Sequence, residues 1–208
     1  LHVRSRRQRQ MCIRDRAEIL FNRKHFDQAL TDYKQLKAKA TTTERRQLAA
    51  TGMLRSAAMM QDDVETIAAA TDMLAEAKLT PELRNEALYF RAKAYLNQQA
   101  DKKAMNDLQA LAKDTRTLYG AEAKYLVALQ LYKAHEYAAA EKEILNFIEQ
   151  STPHAYWLAR SFVLLSDVYV AMGKDLDARQ YLLSLQQNYQ GNDDIESMIE
   201  DRLKKLNK

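Results

Sequence analysis

A small or apolar residue recurs along this chain at almost constant intervals. It occupies the same place in five related segments: FDQALTDYKQL, VETIAAATDML, DKKAMNDLQAL, YAAAEKEILNF and DLDARQYLLSL. The recurring residues are Ala29, Ile67, Ala104, Ala140 and Ala178, at steps of 38, 37, 36 and 38 residues. A period of this length suits one pair of helices, which buries its apolar face against neighbouring pairs. The chain is therefore predicted to be an array of helical hairpins.

A second small residue lies twelve positions before the first in four of the five segments. The pairs are Ala17 with Ala29, Ala92 with Ala104, Ala128 with Ala140, and Ser166 with Ala178. Two helices that cross closely need small side chains at the crossing, because bulkier ones would be overpacked there. These residues are therefore predicted to lie at helix crossings. Residues 44–78 diverge, since Gly52 lies fifteen positions before Ile67.

Composition and helix signals define the extent of this array. Only 4 glycines and 2 prolines occur in 208 residues, which favours helices and predicts an all-α fold. Thr80-Pro81 and Thr152-Pro153 are typical of helix starts. The predicted repeats span residues 17–40, 42–78, 81–113, 119–150 and 153–190 of an array at 17–192, followed by a charged capping helix at 193–208. No apolar stretch approaches the ~18 residues of a transmembrane segment.

The paired helices, with their small residues and the aromatic residue in ALYFRAKAYL and LLSDVYVAMGKDLDARQYL, resemble tetratricopeptide (TPR) repeats. The last repeat matches best, and the repeat at 137–147 matches well. The resemblance covers residues 17–192 and implies a right-handed α-solenoid with a C-terminal capping helix. The ending NYQGNDDIESMIEDRLKKL resembles the close of TPR arrays in bacterial cell-envelope proteins of the Tol-Pal coordinator and outer-membrane assembly lipoprotein types. That likeness implies the C-terminal part of a longer protein of the periplasm or cell envelope.

The basic character of the chain comes from its first sixteen residues. Six arginines and one aspartate give residues 1–16 a net charge of +5, which leaves −1 of the total +4 for residues 17–208. The segment RSRRQRQMCIRDR holds the only cysteine, Cys12, follows a first residue that is not methionine, and resembles translated sequencing-adapter sequence. Residues 1–16 are therefore predicted to be a non-native or disordered leader, with the true N-terminus missing. The alternatives are a solvated basic tail and a nucleic-acid-binding arm.

The sequence carries no recognisable catalytic or metal-binding motif. It lacks a glycine-rich phosphate loop, GxSxG, HExxH and any cluster with metal-ligand spacing. The paired acids Asp62-Asp63 and Asp193-Asp194 are interpreted as helix caps. The protein is predicted to be no enzyme and to need no cofactor. Residues 17–208 are expected to bind no nucleic acid, because their basic residues are interleaved with acids.

The remaining candidate is a protein-binding groove. The resemblance implies that the first helix of each hairpin lines a concave face. The candidates carried over by repeat register are Glu86, Tyr89, Lys93, Glu122, Tyr125, Tyr132, Lys133 and Arg160. Tyrosines offer a large contact area to a peptide, but the same tyrosines could pack between repeats. The chain is predicted to be a scaffold for a peptide or a partner-protein segment. The alternatives are a purely structural end of a longer solenoid and, if residues 1–16 are native, a TPR module whose basic arm binds nucleic acid or an anionic membrane.

Overall fold

A computed structural model describes the backbone of residues 2–150 and 152–206 and the side chains of residues 12–150 and 152–206. The first eleven side chains of the predicted leader and the last two residues of the predicted capping helix lie outside the described residues. All regular structure in the described ranges is helical, which confirms the all-α prediction. The helices are α1 (His2–Asn22), α2 (Phe26–Lys39), α3 (Thr43–Met59), α4 (Asp63–Leu74), α5 (Pro81–Asn97), α6 (Asp101–Leu111), α7 (Leu118–Lys133), α8 (Tyr137–Glu149), α9 (Ala155–Ala171), α10 (Asp175–Asn188) and α11 (Ile195–Leu206).

One residue with positive φ lies in the turn of each hairpin. These hairpin-turn residues are Lys24, Gln61, Gln99, His135 and Gly173, with φ between 56° and 74°. Their spacings of 37, 38, 36 and 38 residues follow the predicted period. Because the same turn conformation recurs, it aligns the five hairpins independently of side-chain similarity.

The turn alignment corrects the register of the second repeat. Ala29, like its three alanine equivalents, lies five residues after its hairpin-turn residue, but the residue five after Gln61 is Thr66. Thr66 is 3% exposed, whereas Ile67 is only partly buried. The prediction that Ile67 is the equivalent residue was therefore wrong by one position. The alignment of the repeats selected the apolar Ile67 because the buried residue beside it, Thr66, is polar.

The chain forms two compact units, the N-terminal unit of residues 1–107 and the C-terminal unit of residues 108–208. The boundary falls within the predicted repeat 81–113. In the N-terminal unit α1 packs on α2, α2 on α3, α3 on α4 and α4 on α5. Helices α3 and α5, each the first helix of its hairpin, are also in contact. One core cluster groups Ala17, Ala29, Tyr33, Leu36 and Ala49, and a second groups Ala50, Leu54, Ala69, Ala70, Met73 and Ala87.

The end of the predicted leader belongs to α1. Within the described side chains, Ile13 packs against the cluster of Ala17 and Ala29. Arg16 donates from Nε and Nη2 to the two carboxylate oxygens of Asp32, each at 2.5 Å. Residues 12–16 are thus helical and in contact with α2. The non-native origin of residues 1–16 stays a prediction, because it concerns the gene and not the fold.

The C-terminal unit is built from α7 to α11. Helix α7 packs on α8 and α9, helix α9 on α10, and helix α11 on both α9 and α10. Ile195 and Ile199 of α11 are buried, and Arg202 donates to both oxygens of Asp167 on α9 at 2.8 and 2.7 Å. Helix α11 thus covers the apolar surface of the last hairpin.

The helix starts agree with the predicted caps at three places and differ at one. Thr80 accepts a hydrogen bond from the Leu83 amide, Asp62 from the Glu65 amide, and Asp193 from the Ile195 amide. These caps confirm the interpretation of the threonine and the acids. Helix α9, however, begins at Ala155 with His154 as its N-cap residue, so the start predicted at Thr152-Pro153 was early. The Thr152 hydroxyl is used elsewhere, since it donates to the Thr115 carbonyl at 2.7 Å.

Candidate functional site

The predicted groove residues of α5 have equivalents on α3 that the sequence analysis missed. Glu86, Tyr89 and Lys93 lie thirteen, ten and six residues before the hairpin-turn residue Gln99. The residues at the same distances before Gln61 are Leu48, Thr51 and Arg55. Steps of three and four place such residues on one face of a helix. The register error in the second repeat hid this correspondence, and the turn alignment would have revealed it.

Leu48, Thr51 and Arg55 line a cavity of about 650 Å³ in the N-terminal unit. We call it the α3 cavity. Its other walls come from Glu18, Phe21 and Asn22 of α1, Tyr33 of α2, Glu44, Gln47 and Gly52 of α3, and Leu83 of α5. The volume falls within the range typical of ligand pockets. Among the side chains that the structure describes, none from the predicted leader lines this cavity.

A close approach of α2 to α3 forms one side of the α3 cavity. A Cβ atom on Gly52 would overlap the ring of Tyr33, which is 6% exposed. Glycine in a helix interior costs about 1 kcal/mol relative to alanine, and here it makes room for the ring. Burial and, to a smaller extent, the charge of Glu18 raise the pKa of the Tyr33 hydroxyl, whereas Arg55 opposes the rise.

Arg55 is held in the cavity wall by a predicted groove residue. Its Nε and Nη2 atoms donate to Oε1 and Oε2 of Glu86 at 2.6 and 2.9 Å. Glu86 is 7% exposed, so its carboxylate anchors Arg55 between α3 and α5 rather than facing solvent. Of the other candidates on α5, Lys93 Nζ lies 5.8 Å from the ring centre of Tyr89, and both side chains are partly buried.

In the C-terminal unit the structure brings two predicted groove residues together. Arg160 donates from Nη2 to the Tyr125 hydroxyl at 3.3 Å and from Nη1 to the Tyr156 hydroxyl at 2.9 Å. The guanidinium carbon lies 5.1 Å from the centre of the Tyr125 ring and 6.0 Å from that of Trp157. Tyr125 is 7% exposed and packs 5.5 Å from Trp157, which fits the alternative that this tyrosine packs between repeats.

The surroundings of Arg160 keep it charged. Burial lowers its pKa, but the hydrogen bonds to Tyr156 and Tyr125 outweigh burial and the net pKa is raised. The Nε atom of Arg160 is buried without a hydrogen-bond partner, and Asp194 approaches Nη1 at 3.3 Å. Tyr156 and Trp157 were not among the predicted site residues. They lie one turn before Arg160 on α9, so helical spacing from Arg160 would have pointed to them.

The remaining candidates, like Tyr125, lie on α7. Glu122 is buried at 8% exposure. Tyr132 is partly buried with its ring 5.8 Å from Tyr137, and burial is the main cause of the raised pKa of its hydroxyl. Lys133 is exposed at the end of the helix.

All predicted helix-crossing residues are buried, at 1% exposure or less: Ala29, Ala92, Ala104, Ala128, Ala140, Ser166 and Ala178. Such burial is what a close crossing requires, and the crossings themselves stay predictions. Among the described residues, no three histidine, cysteine or acidic side chains are grouped so that they could hold a metal ion. No helix in this part of the chain combines the length and apolarity needed to cross a bilayer.

Comparison with known proteins adds evidence on the fold. No protein-family model matches the chain, and no curated protein matches it by sequence. A solved structure does match it, the tetratricopeptide repeat protein from Parabacteroides merdae ATCC 43184 at 2.39 Å resolution. The TM-score is 0.59 over 96% of this chain and 93% of that chain, at 15% sequence identity. The chain has a TPR-like fold.

Proposed function

We propose that the protein is a non-enzymatic scaffold that docks a peptide or a partner-protein segment in the α3 cavity. One observation carries the proposal. Residues of the first helices α1, α3 and α5, together with Tyr33 of α2, line a cavity of about 650 Å³ in the N-terminal unit. Its lining combines the apolar residues Phe21, Leu48 and Leu83 with a larger number of polar and charged residues, and placed polar groups can orient a bound segment.

The apolar part of the α3 cavity is open to contact. Leu48 is 36% exposed, and Phe21 and Leu83 are partly buried. Its polar groups are held in place, because the Thr51 hydroxyl donates to the Gln47 carbonyl at 2.8 Å and the Gln47 amide donates to the Lys78 carbonyl at 2.5 Å. A site whose side chains are already ordered loses less entropy when a segment binds.

A pair of tryptophan variants tests the proposal. Peptides are first selected from a random displayed library against the full chain. The affinity of the best peptide is then measured by fluorescence anisotropy for the unsubstituted chain, Thr51→Trp and Gln28→Trp. Thr51→Trp fills the α3 cavity, whereas Gln28 is an exposed residue of α2 outside it.

We expect Thr51→Trp to weaken binding by tenfold or more, which is a loss of at least about 1.4 kcal/mol, and Gln28→Trp to leave it unchanged. Circular dichroism must show the same helicity for all three proteins. A library that yields no binding peptide, or binding that Thr51→Trp leaves intact, contradicts the proposal. The first of these outcomes would favour the purely structural role.

The candidates of the C-terminal unit belong to the proposal as a second contact surface. Arg160 carries a raised pKa and an unpartnered buried Nε, and Tyr125 lies against it. Tyr125→Phe keeps the ring that packs on Trp157 and removes only the hydroxyl. If the surface contacts the partner, this variant weakens binding at unchanged helicity.

We also propose a place in a longer bacterial envelope protein, supported by the resemblance of residues 188–206 to the close of envelope TPR arrays. An uninterrupted long read of the native gene across codon 16 tests it. A signal sequence or further repeats upstream of Ala17 would support the proposal. A native reading frame that carries neither a signal sequence nor further repeats upstream of Ala17 would contradict it.

A further inference from the structure

We infer that the α3 cavity selects a segment that carries lysine or arginine beside an apolar residue. The inference rests on the proposed function of the cavity as a peptide site and adds the chemistry of the occupant. Three features carry it: the balance of charges lining the cavity, the exposure of its carboxylates and the apolar surface beside them.

The charges that line the α3 cavity leave an excess of carboxylate. Glu18 and Glu44 are its two acidic lining residues, and Arg55 is the one cation among the described residues that line it. The guanidinium of Arg55 is already matched, because both oxygens of Glu86 accept its hydrogen bonds at 2.6 and 2.9 Å. An occupant therefore meets two carboxylates that the cavity itself does not neutralise.

Both carboxylates belong to residues that are exposed to solvent. The backbone amide of Glu44 and then the Thr42 hydroxyl lower the pKa of Glu44, so it is ionised at neutral pH. Glu18 is about half exposed, and its Oε1 lies 3.6 Å from Nε of Arg14, beyond hydrogen-bond distance. An exposed pair at this separation is weak, so Arg14 reduces the field of Glu18 without removing it.

Three arginines outside the lining of the α3 cavity lie near its carboxylates, and the charge of one of them, Arg46, contributes to the lowered pKa of Glu44. Arg45 and Arg14 line a neighbouring cavity of about 230 Å³, which shares Glu44 and Leu48 with the α3 cavity. These arginines face the smaller cavity and do not line the larger one. The described lining of the α3 cavity therefore keeps two carboxylates, Glu18 and Glu44, against one cation, Arg55.

The apolar walls suit the stem of a long basic side chain. Phe21, Leu48 and Leu83 lie in the same lining as the two carboxylates. Lysine and arginine cover apolar surface with their methylene stems while their charged ends reach polar groups. An acidic segment would bring a carboxylate next to Glu18 and Glu44, and the one cation in the described part of the lining, Arg55, is already paired with Glu86, so such a segment is disfavoured.

The test compares three versions of the peptide selected from the library, labelled with fluorescein and carrying lysine, glutamine or glutamate at its basic positions. Anisotropy gives the affinity of each for the full chain. We expect the lysine version to bind best and the glutamate version worst. Glu18→Gln and Glu44→Gln are each expected to weaken the lysine peptide by about threefold, the size of an exposed ion pair.

Two further variants serve as controls. Asp27→Asn removes an exposed carboxylate of α2 outside the cavity and should leave affinity unchanged. Arg14→Gln removes the cation beside Glu18 and should strengthen binding of the lysine peptide. A general attraction of basic peptides to the whole protein would instead make Asp27→Asn as harmful as Glu18→Gln, and that result would overturn the inference.

The failures of the two proposals are distinguishable. If Thr51→Trp abolishes binding but the selected peptide has no basic residue, or its lysine, glutamine and glutamate versions bind equally, the inference is wrong and the proposed function stands. If no peptide is selected, or Thr51→Trp changes nothing, the proposed function fails and the inference fails with it.

Discussion

At the scale of single residues, one ion pair recurs in equivalent positions of two hairpins. Arg16 and Arg91 each donate two hydrogen bonds to an aspartate sixteen residues later, Asp32 and Asp107. Both aspartates are buried, at 4% and 5% exposure. The hydrogen bond to Asp107 is the main cause of the raised pKa of Arg91. If the charge of one member of such a pair is removed, the charge of the other member is left without a compensating partner.

We expect Asp107→Asn to lower the free energy of unfolding by about 1–3 kcal/mol, the value of a charged hydrogen-bonded pair. Asp27→Asn is the control, because Asp27 is exposed in the first turn of α2. Its cost should stay below about 0.5 kcal/mol. Urea denaturation measures both. Equal effects of the two substitutions would mean that the pair of Arg91 and Asp107 contributes nothing to stability.

Gly52 gives a second residue-scale prediction with an unusual sign. Glycine to alanine in a helix interior ordinarily stabilises by about 1 kcal/mol. Here the added methyl overlaps the Tyr33 ring, so we expect Gly52→Ala to destabilise by about 1–3 kcal/mol. In a Tyr33→Ala background the same change should become stabilising. A stabilising Gly52→Ala in the unsubstituted chain, measured by thermal unfolding, would contradict the packing of Tyr33 on α3.

The burial of a residue was predictable from sequence where its own side chain gives the signal. It was not predictable where the residue's role depends on a contact with another part of the chain. The alanines predicted at helix crossings are all buried. Ile67 was chosen over Thr66 because a buried threonine carries no apolar signal. Glu86 was predicted to line a groove, and its pairing with Arg55, thirty-one residues away, depends on how α5 packs on α3. That packing cannot be obtained from the period alone.

At the scale of elements, the hairpins share one turn conformation but not one turn residue. Gly173 adopts positive φ without strain, whereas the other four turns use side-chain-bearing residues such as Gln99. A left-handed conformation costs a residue with a side chain roughly 1–2 kcal/mol. Glycine was therefore a turn signal in the last hairpin only, and the other turns had to be inferred from the period.

Exchange of the turn residues tests this element. Gln99→Gly is expected to raise stability by about 1 kcal/mol, and Gly173→Ala is expected to lower it by a similar amount, because φ is 57° and 74° at these positions. Thermal unfolding of the two variants gives both signs. Changes of the same sign would show that the two turns differ in conformation.

The cap of α5 makes a pH-dependent prediction. The pKa of Glu82 is lowered first by its own backbone amide and then by the Thr80 hydroxyl. A lowered folded-state pKa contributes stability above the unfolded value, and this contribution is lost as pH falls through the folded pKa. We expect Thr80→Ala to move the pKa of Glu82 part of the way back up in an NMR titration. Glu44, beside its own Thr42, should keep its lowered pKa, and a Glu82 pKa that does not move would contradict the contact.

Removal of the cap also has a cost in stability. The Thr80 hydroxyl accepts from the Leu83 amide, and loss of such a cap costs about 1 kcal/mol. This start was predictable because threonine and proline are adjacent at the boundary. The start of α9 was not, because the Thr152 hydroxyl donates to the Thr115 carbonyl, thirty-seven residues earlier in the chain. This tertiary hydrogen bond competes with capping of α9 by Thr152, and it cannot be inferred from the local sequence.

At the scale of the whole molecule, the charge distribution makes a prediction about nucleic acid. Residues 17–208 carry a net charge of −1, and residues 1–16 carry +5. We expect any salt-sensitive binding of RNA or DNA by the full chain to disappear when arginines 4, 6, 7 and 9 are replaced by glutamine, because phosphate binding requires clustered cations. Binding that survives these substitutions, measured by filter retention at two salt concentrations, would contradict the prediction for residues 17–208.

The all-α fold class was predictable from the whole sequence because the same residue pattern recurs in each repeat. An alignment error in one hairpin therefore does not change the prediction for the others. The site was less predictable. The candidates were carried over from the clearest repeats, whereas the α3 cavity lies in the divergent one, where Leu48 and Thr51 stand in place of a glutamate and a tyrosine. The residues that differ from the repeat pattern are among those that line the cavity, so no candidate could be carried over to them by repeat register.

The central claim is that a partner segment docks on the first-helix face of the N-terminal unit, and site-specific photo-crosslinking tests it most directly. Benzoylphenylalanine replaces Leu48 in the α3 cavity or Val64 on the second helix α4, since both are exposed apolar residues, at 36% and 73%. With the library-selected peptide, we predict crosslinks from position 48 and none from position 64. Crosslinks from position 64 alone, or equal yields from both positions, would contradict the account.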